Sequence, residues 1–128
     1  MKKILIVSAN YYKDISKKML NNSIEILKKN KFKFNTLEVP GVFEIPVTIS
    51  KKIKNYHAII ALGCVIKGQT PHFDFISNAA TQAIMELSVV NRKPIGNGII
   101  TCLNMKQAKA RIKKGKEATQ AVISVLSQ

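Results

Sequence analysis

Apolar positions in this chain fall in short unbroken runs that alternate with longer, spaced patterns. "KILIVSA", Lys3 to Ala9, is short, β-branched and uninterrupted, which predicts a buried strand. Ile15, Met19, Leu20, Ile24 and Leu27 then recur at helical spacing, with Asp14 as the expected N-cap and Asn30 as the close. "KFNTLEV", Lys33 to Val39, predicts a second strand, stopped by Pro40-Gly41. Pro46 suits the first turn of a short helix that carries Val47, Ile49 and Ile53. "HAIIALGCVI", His57 to Ile66, predicts a third strand. A long helix should start between Thr70 and Phe73, with Thr70 as N-cap and Pro71 in its first position. Ile76, Ala80, Ala83 and Leu87 mark one face of it. "PIGNGIIT", Pro94 to Thr101, predicts a fourth strand. Two helices broken near Gly115 finish the chain, the last lined by Ala118, Ala121, Val122 and Val125.

Strands alternating with helices of this length imply βαβ units with right-handed crossovers and a parallel sheet covered on both faces. The expected fold is a flavodoxin-like, three-layer α/β/α sandwich with a four-stranded parallel sheet, in one domain over residues 1–128. Ligands of such sheets bind outside the carboxyl ends of the strands. "SANYY", "PGVFE" and "GCVIKGQTPHF" follow the first three strands, so all three should meet along one edge.

Composition narrows the class. A hydrophobic content of 46% is ample for a core. No stretch is long and apolar enough for a membrane span. The apolar run in "MKKILIVSAN" is too short for a signal peptide and reads better as strand. Cys64 and Cys102 each end an apolar run, the pattern of buried free thiols in a reducing compartment, so a cytoplasmic location is expected. A net charge of +14 raises the question of nucleic acid. The lysines, however, fall in pairs such as Lys17-Lys18, Lys28-Lys29 and Lys51-Lys52 on expected outer faces, without interleaved aromatics. Arginine, the usual base reader, is confined to Arg92 and Arg111. The charge therefore reads as a solvated lysine surface that would also attract phosphorylated substrates.

Candidate chemistry concentrates after the third strand. Gly63 and Gly68 permit a sharp turn or close approach to a ligand. Free amides at a helix start attract phosphate. His72 stands in that first turn, and an imidazole exchanges protons near neutral pH. A plain strand-to-helix turn with a surface histidine fits the same residues. A P-loop does not, because Gly68 is followed by Gln69. His57 and His72 have no partner at metal-ligand spacing, and His57 should simply be exposed. Cys64 lies in an apolar run that raises a thiol's pKa, which argues against a nucleophile. Phe43 offers a flat apolar face and Glu44 an acceptor for hydroxyls, though a core phenylalanine and a helix-start acid fit as well. One of Tyr11 and Tyr12 should face the edge and can stack on a planar ring. An enzyme, a phosphate- or flavin-binding module and a basic nucleic-acid binder all remain open on these residues.

"VPGVFEIP" and "ALGCVIKGQTPHFDFI" resemble the two signature regions of the 6,7-dimethyl-8-ribityllumazine synthase family. "KPIGNGIIT", "KQAKAR" and "KKGKEAT" resemble its later segments in the same order, so the likeness covers nearly the whole chain. The resemblance implies a transferase of riboflavin biosynthesis that condenses 5-amino-6-(D-ribitylamino)uracil with 3,4-dihydroxy-2-butanone 4-phosphate, without cofactor or metal. It implies that Tyr11 stacks on the pyrimidine, while Gly41, Val42, Phe43 and Glu44 surround the ring and ribityl chain. Cys64, Val65 and Ile66 join the substrate-binding set, and Gly68, Gln69 and Thr70 form the phosphate-side turn. His72 is implied as the proton shuttle, Arg111 as the phosphate grip and Lys114 as a lysine beside it. These last groups are implied to reach a site completed by the adjacent subunit, with a homopentamer as the minimal active unit. Riboflavin synthase is a candidate partner; nucleic acid and membrane are not. Asn97, also in the substrate-binding set, stands where the family often has a phenylalanine that closes the neighbouring site. The chain is also several residues shorter than many relatives between Arg111 and Lys114, and it begins almost at the first strand. These departures favour a lone pentamer over a larger shell.

Overall fold

The computed structural model describes residues 2–128. Four strands, β1 (Lys3–Ala9), β2 (Lys33–Val39), β3 (Ala58–Ile66) and β4 (Ile95–Cys102), pair in parallel in the order β2-β1-β3-β4. The helices are α1 (Lys13–Lys29), α2 (Ile45–Lys52), α3 (His72–Asn91), α4 (Met105–Ala110) and α5 (Lys114–Leu126). A single 3-10 turn, Val42–Glu44, leads into α2. This is the expected α/β sandwich of flavodoxin-like layout, with helices on both sides of the sheet. No helix among the described residues is long and apolar enough to cross a membrane.

The unbroken apolar runs follow from burial on both faces. Successive side chains of a strand point to opposite faces. Ile4 and Ile6 of β1 join Ala58, Ile60 and Leu62 of β3 beneath α1 and α5. Leu5, Val7 and Ala9 join Ile59 and Ala61 beneath α2 and α3. The register Ile4↔Ala58 and Leu5↔Ile59 aligns both sets at once. A slip by one residue would exchange the two cores.

α5 lies very close to the sheet. A Cβ on Gly96 would stand 2.5 Å from the carbonyl oxygen of Ala118, so only glycine fits there. On its other side α5 meets α1 through a buried hydroxyl pair, Ser23 Oγ to Thr119 Oγ1 at 2.7 Å. Thr119 Oγ1 also donates to the Gly115 carbonyl at 2.8 Å, which satisfies both buried hydroxyls. The two last helices are broken near Gly115, as the sequence predicts. The break falls at residues 111–113, and Gly115 sits in the first turn of α5, where a Cβ would lie 3.2 Å from the Met19 carbonyl oxygen.

Other expectations need correction. α1 starts at Lys13 with Tyr12 in the cap position, and Asp14 lies inside its first turn, where its charge complements the helix dipole. Pro71 caps α3 instead of opening it, because its carbonyl already accepts from Asp74 and Phe75. Thr70 falls one residue too early to cap, and its hydroxyl only reaches the His72 amide at 3.4 Å. The buried stripe of α3 is Ile76, Ala80 and Ile84; Ala83 and Leu87 are half-buried. Val47, Ala121 and Val125 are exposed. His57 precedes β3, is exposed, and accepts the Lys3 amide on Nδ1 at 2.9 Å.

Both cysteines are free and buried. Burial pushes the Cys64 thiol up to about 12 from 9.0, and the nearby Cys102 thiol adds to the rise.

Two outcomes follow from this packing. Gly96→Ala should destabilise the fold by about 3 kcal/mol, the upper end for overpacking, because the obstacle is backbone. An unchanged urea midpoint would mean that α5 yields freely. Cys64 gives the second. Above its ordinary value of 9.0 the unfolded thiol ionises, while the folded thiol keeps its proton to about 12. The unfolded state then binds fewer protons, so stability falls as pH rises through that window. Cys64→Ala should lose less stability than the parent between pH 8 and pH 10 in paired denaturant titrations.

Candidate functional site

β1 and β3 are neighbours, yet the chain leaves β1 for β2 on one side and β3 for β4 on the other. Their carboxyl-end connections therefore diverge and open a crevice, the usual ligand position in such sheets. Tyr11 and Tyr12 after β1, the segment Gly41 to Glu44 after β2, Cys64 to Ile66 ending β3, and His72 and Ile76 of α3 line a cavity of about 540 Å³.

Its groups divide by character. Tyr11 and Phe43 are 74% and 70% exposed, so two planar apolar faces stand open to solvent. Such faces gain by stacking on a flat ligand. Tyr12 braces Tyr11 edge-on, with ring centroids 4.9 Å apart and planes at 78°. Burial raises the Tyr12 phenol above its ordinary value, with Cys64 and Tyr11 adding, so it stays a hydrogen-bond donor. The Glu44 carboxylate folds back over Gly41, where a Cβ would lie 3.2 Å from Oε1. The Glu44 carbonyl accepts the Thr48 hydroxyl at 2.8 Å, which ties the turn to α2. The exposed His72 stands at the start of α3, within the same cavity wall as Phe43. Cys64 keeps its proton across neutral pH and offers no thiolate.

Gly68, Gln69 and Thr70 occupy the exposed loop between β3 and α3, beside this cavity and not in its wall. No glycine adopts a positive φ, so neither Gly63 nor Gly68 is needed for a left-handed turn. Gly63 serves close packing, and a Cβ on Gly68 would meet nothing within 4 Å.

The remaining residues lie elsewhere. Asn97 and Thr101 of β4, Thr81 of α3, and Arg111, Lys113 and Lys114 around the start of α5 line a separate cavity of about 350 Å³. None of them lines the first cavity. Arg111 Nη1 donates to the Thr101 carbonyl at 2.8 Å, and Asn97 Oδ1 accepts the Ile99 amide at 3.1 Å. β4 is an edge strand, so this cationic cavity sits at the border of the sheet. Facing Glu117 alone among acids in its wall, the three cations can hold an anion.

Ile76 and Lys113 are cavity residues that the sequence reading did not select, and Tyr12 was offered there only as the alternative to Tyr11. Tyr12 shares the "SANYY" signal, whereas Ile76 reads only as core. Among the described residues, no group of three or more His, Cys, Asp or Glu side chains is arranged to hold a metal ion.

Comparison with known proteins agrees with this geometry. The family model for 6,7-dimethyl-8-ribityllumazine synthase matches residues 1–128. The 6,7-dimethyl-8-ribityllumazine synthase of Bartonella bacilliformis is 40% identical over 118 residues, which cover 89% of this chain and 78% of that protein. The 6,7-dimethyl-8-ribityllumazine synthase 1 of Rhodopseudomonas palustris is 40% identical over 136 residues, covering 97% of this chain and 83% of that protein. On sheet order, on the cavity at the carboxyl edge and on sequence along its whole length, the chain belongs to the 6,7-dimethyl-8-ribityllumazine synthase family, transferases of riboflavin biosynthesis.

Proposed function

We propose that the protein joins 5-amino-6-(D-ribitylamino)uracil to 3,4-dihydroxy-2-butanone 4-phosphate, giving 6,7-dimethyl-8-ribityllumazine with release of phosphate and water, the penultimate step of riboflavin biosynthesis. The observation that carries this reading is the cavity in which Tyr11, the pair Phe43 and Glu44, and His72 arrive from three separate connections. Tyr11 and Phe43 cover the pyrimidine, and Glu44 accepts from ribityl hydroxyls. The pyrimidine amine attacks the ketone, and water leaves as the imine forms. Phosphate then departs from the neighbouring carbon chain, and the ribitylamino nitrogen closes the ring with loss of a second water. His72 moves the protons these steps require. Holding the two reactants aligned supplies several kcal/mol, up to roughly 7–11 in ideal geometry.

In this reading the phosphate is held by Arg111 and Lys114 of an adjacent copy, because these residues line the other cavity of their own chain. Copies pack as a homopentamer. Exposed apolar side chains on α3, Phe75, Met85, Val89 and Val90, support such packing, since a lone chain leaves them in water. The buried free thiols Cys64 and Cys102 support a cytoplasmic location.

The test is to mix purified protein with both precursors, follow lumazine absorbance, and measure mass in solution. A folded oligomer that makes no lumazine would sink the reading. His72→Ala should lower kcat by about 10²–10⁴-fold while the assembly keeps its mass. Arg111→Ala should raise KM for the phosphorylated ketone by about tenfold or more and leave that for the pyrimidine nearly unchanged. Because the site is shared, mixed oligomers of His72→Ala and Arg111→Ala chains should regain part of the activity each lacks. Mixtures as inactive as either parent would place both residues in one chain's site.

A further inference from the structure

We infer that Gly63 is a positioning residue for the pyrimidine half of the site: its missing side chain sets how deeply the Val42–Glu44 turn seats on the sheet, and so where Phe43 and Glu44 stand. This rests on the reading of Phe43 and Glu44 given above.

Gly63 lies near the carboxyl end of β3, paired with Ile99 of β4, and does not itself line the cavity. A Cβ there would stand 2.7 Å from Val42 Cγ2, 3.4 Å from the Ala9 Cβ and 3.5 Å from Ile45 Cδ1. The first distance is well inside van der Waals contact. Val42 is β-branched, so its isopropyl group cannot swing away cheaply. It is also buried, at 6% exposure, and Ile45 after it is fully buried. Ala9 and Ala61 belong to the same core beneath α2 and α3, so small residues of β1 and β3 form a shallow seat. The backbone at Gly63 is ordinary, since no glycine has a positive φ. Alanine therefore suits the strand and offends only Val42. The turn is short and internally tied, with the Glu44 amide on the Gly41 carbonyl at 3.2 Å. It must lift as a unit, and Phe43 and Glu44 lift with it. A shift of about 1 Å in a positioning group can lower turnover by up to about 10²-fold.

Steady-state kinetics of Gly63→Ala, Val42→Ala and the double variant, with each substrate varied in turn, provide the test. Gly63→Ala should raise KM for the ribitylaminouracil by about tenfold and that for the phosphorylated ketone by under about threefold. In the Val42→Ala background the same change should have under about threefold effect, because the added methyl enters the vacated space. Equal losses in both backgrounds, or equal shifts in both KM values, would overturn the inference. If Gly63→Ala alone does not fold, the double variant must fold and bind the pyrimidine like Val42→Ala; its failure also overturns the inference. Should the parent protein make no lumazine, the proposed function falls separately, and a crystal structure of Gly63→Ala decides this point. A turn lifted from β3 supports it, and an unmoved turn refutes it.

Discussion

Direct pairing of β1 with β3 is the constraint on which the rest of the molecule depends. It commits both strands to the sheet centre, where each face must be covered. Ile4, Ile6, Ala58 and Ile60 then face α1 and α5, and Leu5, Val7, Ile59 and Ala61 face α2 and α3. The same pairing sends the connections after β1 and β3 in opposite directions. A crevice at their carboxyl ends is thus a consequence of topology. Its lining is set by whichever residues the diverging loops carry.

How closely those loops and helices approach the sheet is decided by absent side chains. Gly96 lets α5 rest its backbone on β4, and Gly98 would place a Cβ 2.6 Å from Leu62. Gly63 does the same for the Val42 turn at the opposite face. Two of these contacts set the borders of the cavities. The seat of α5 places Lys114 and the preceding Arg111 at the border of β4, and the seat of the turn places Phe43 and Glu44 over the crevice. Close packing of this kind transmits small volume changes over distance, since interiors hold little free space to absorb them.

β1 was legible because its apolar run is unbroken, and β2, an edge strand with spaced apolar residues, because Pro40-Gly41 stops it; both fall where the pattern places them. β3 begins one residue later, at Ala58, and the His57 ring before it accepts the Lys3 amide. Helix starts were less legible. Asp14 and Thr70 have cap chemistry, but the tertiary connection puts Tyr12 and Pro71 in the cap positions. The rule that ligands sit at carboxyl edges grouped Tyr11, Phe43, Glu44 and His72, and these four line one cavity. Spacing carries no distances between faces, so the residue pattern alone could not tell that Asn97, Arg111 and Lys114 line another cavity. Ile76 escaped notice because a cavity-facing isoleucine and a core isoleucine share one helical pattern.

The two cavities also differ in what they can hold. The first pairs open aromatic faces with a carboxylate and an imidazole, which suits a flat polar heterocycle. The second gathers Arg111, Lys113 and Lys114, which suits a phosphate. Under the proposed reaction the two kinds of group must act on two substrates that become joined to each other. A single copy keeps them in separate walls. Under that proposal a neighbour's β4 border covers this chain's crevice, and the open apolar side chains of α3 give copies a reason to associate. Catalytic competence and assembly are then one requirement. Dilution that separates the copies should remove activity before it removes the fold, because each half-site stands on packing internal to its own chain.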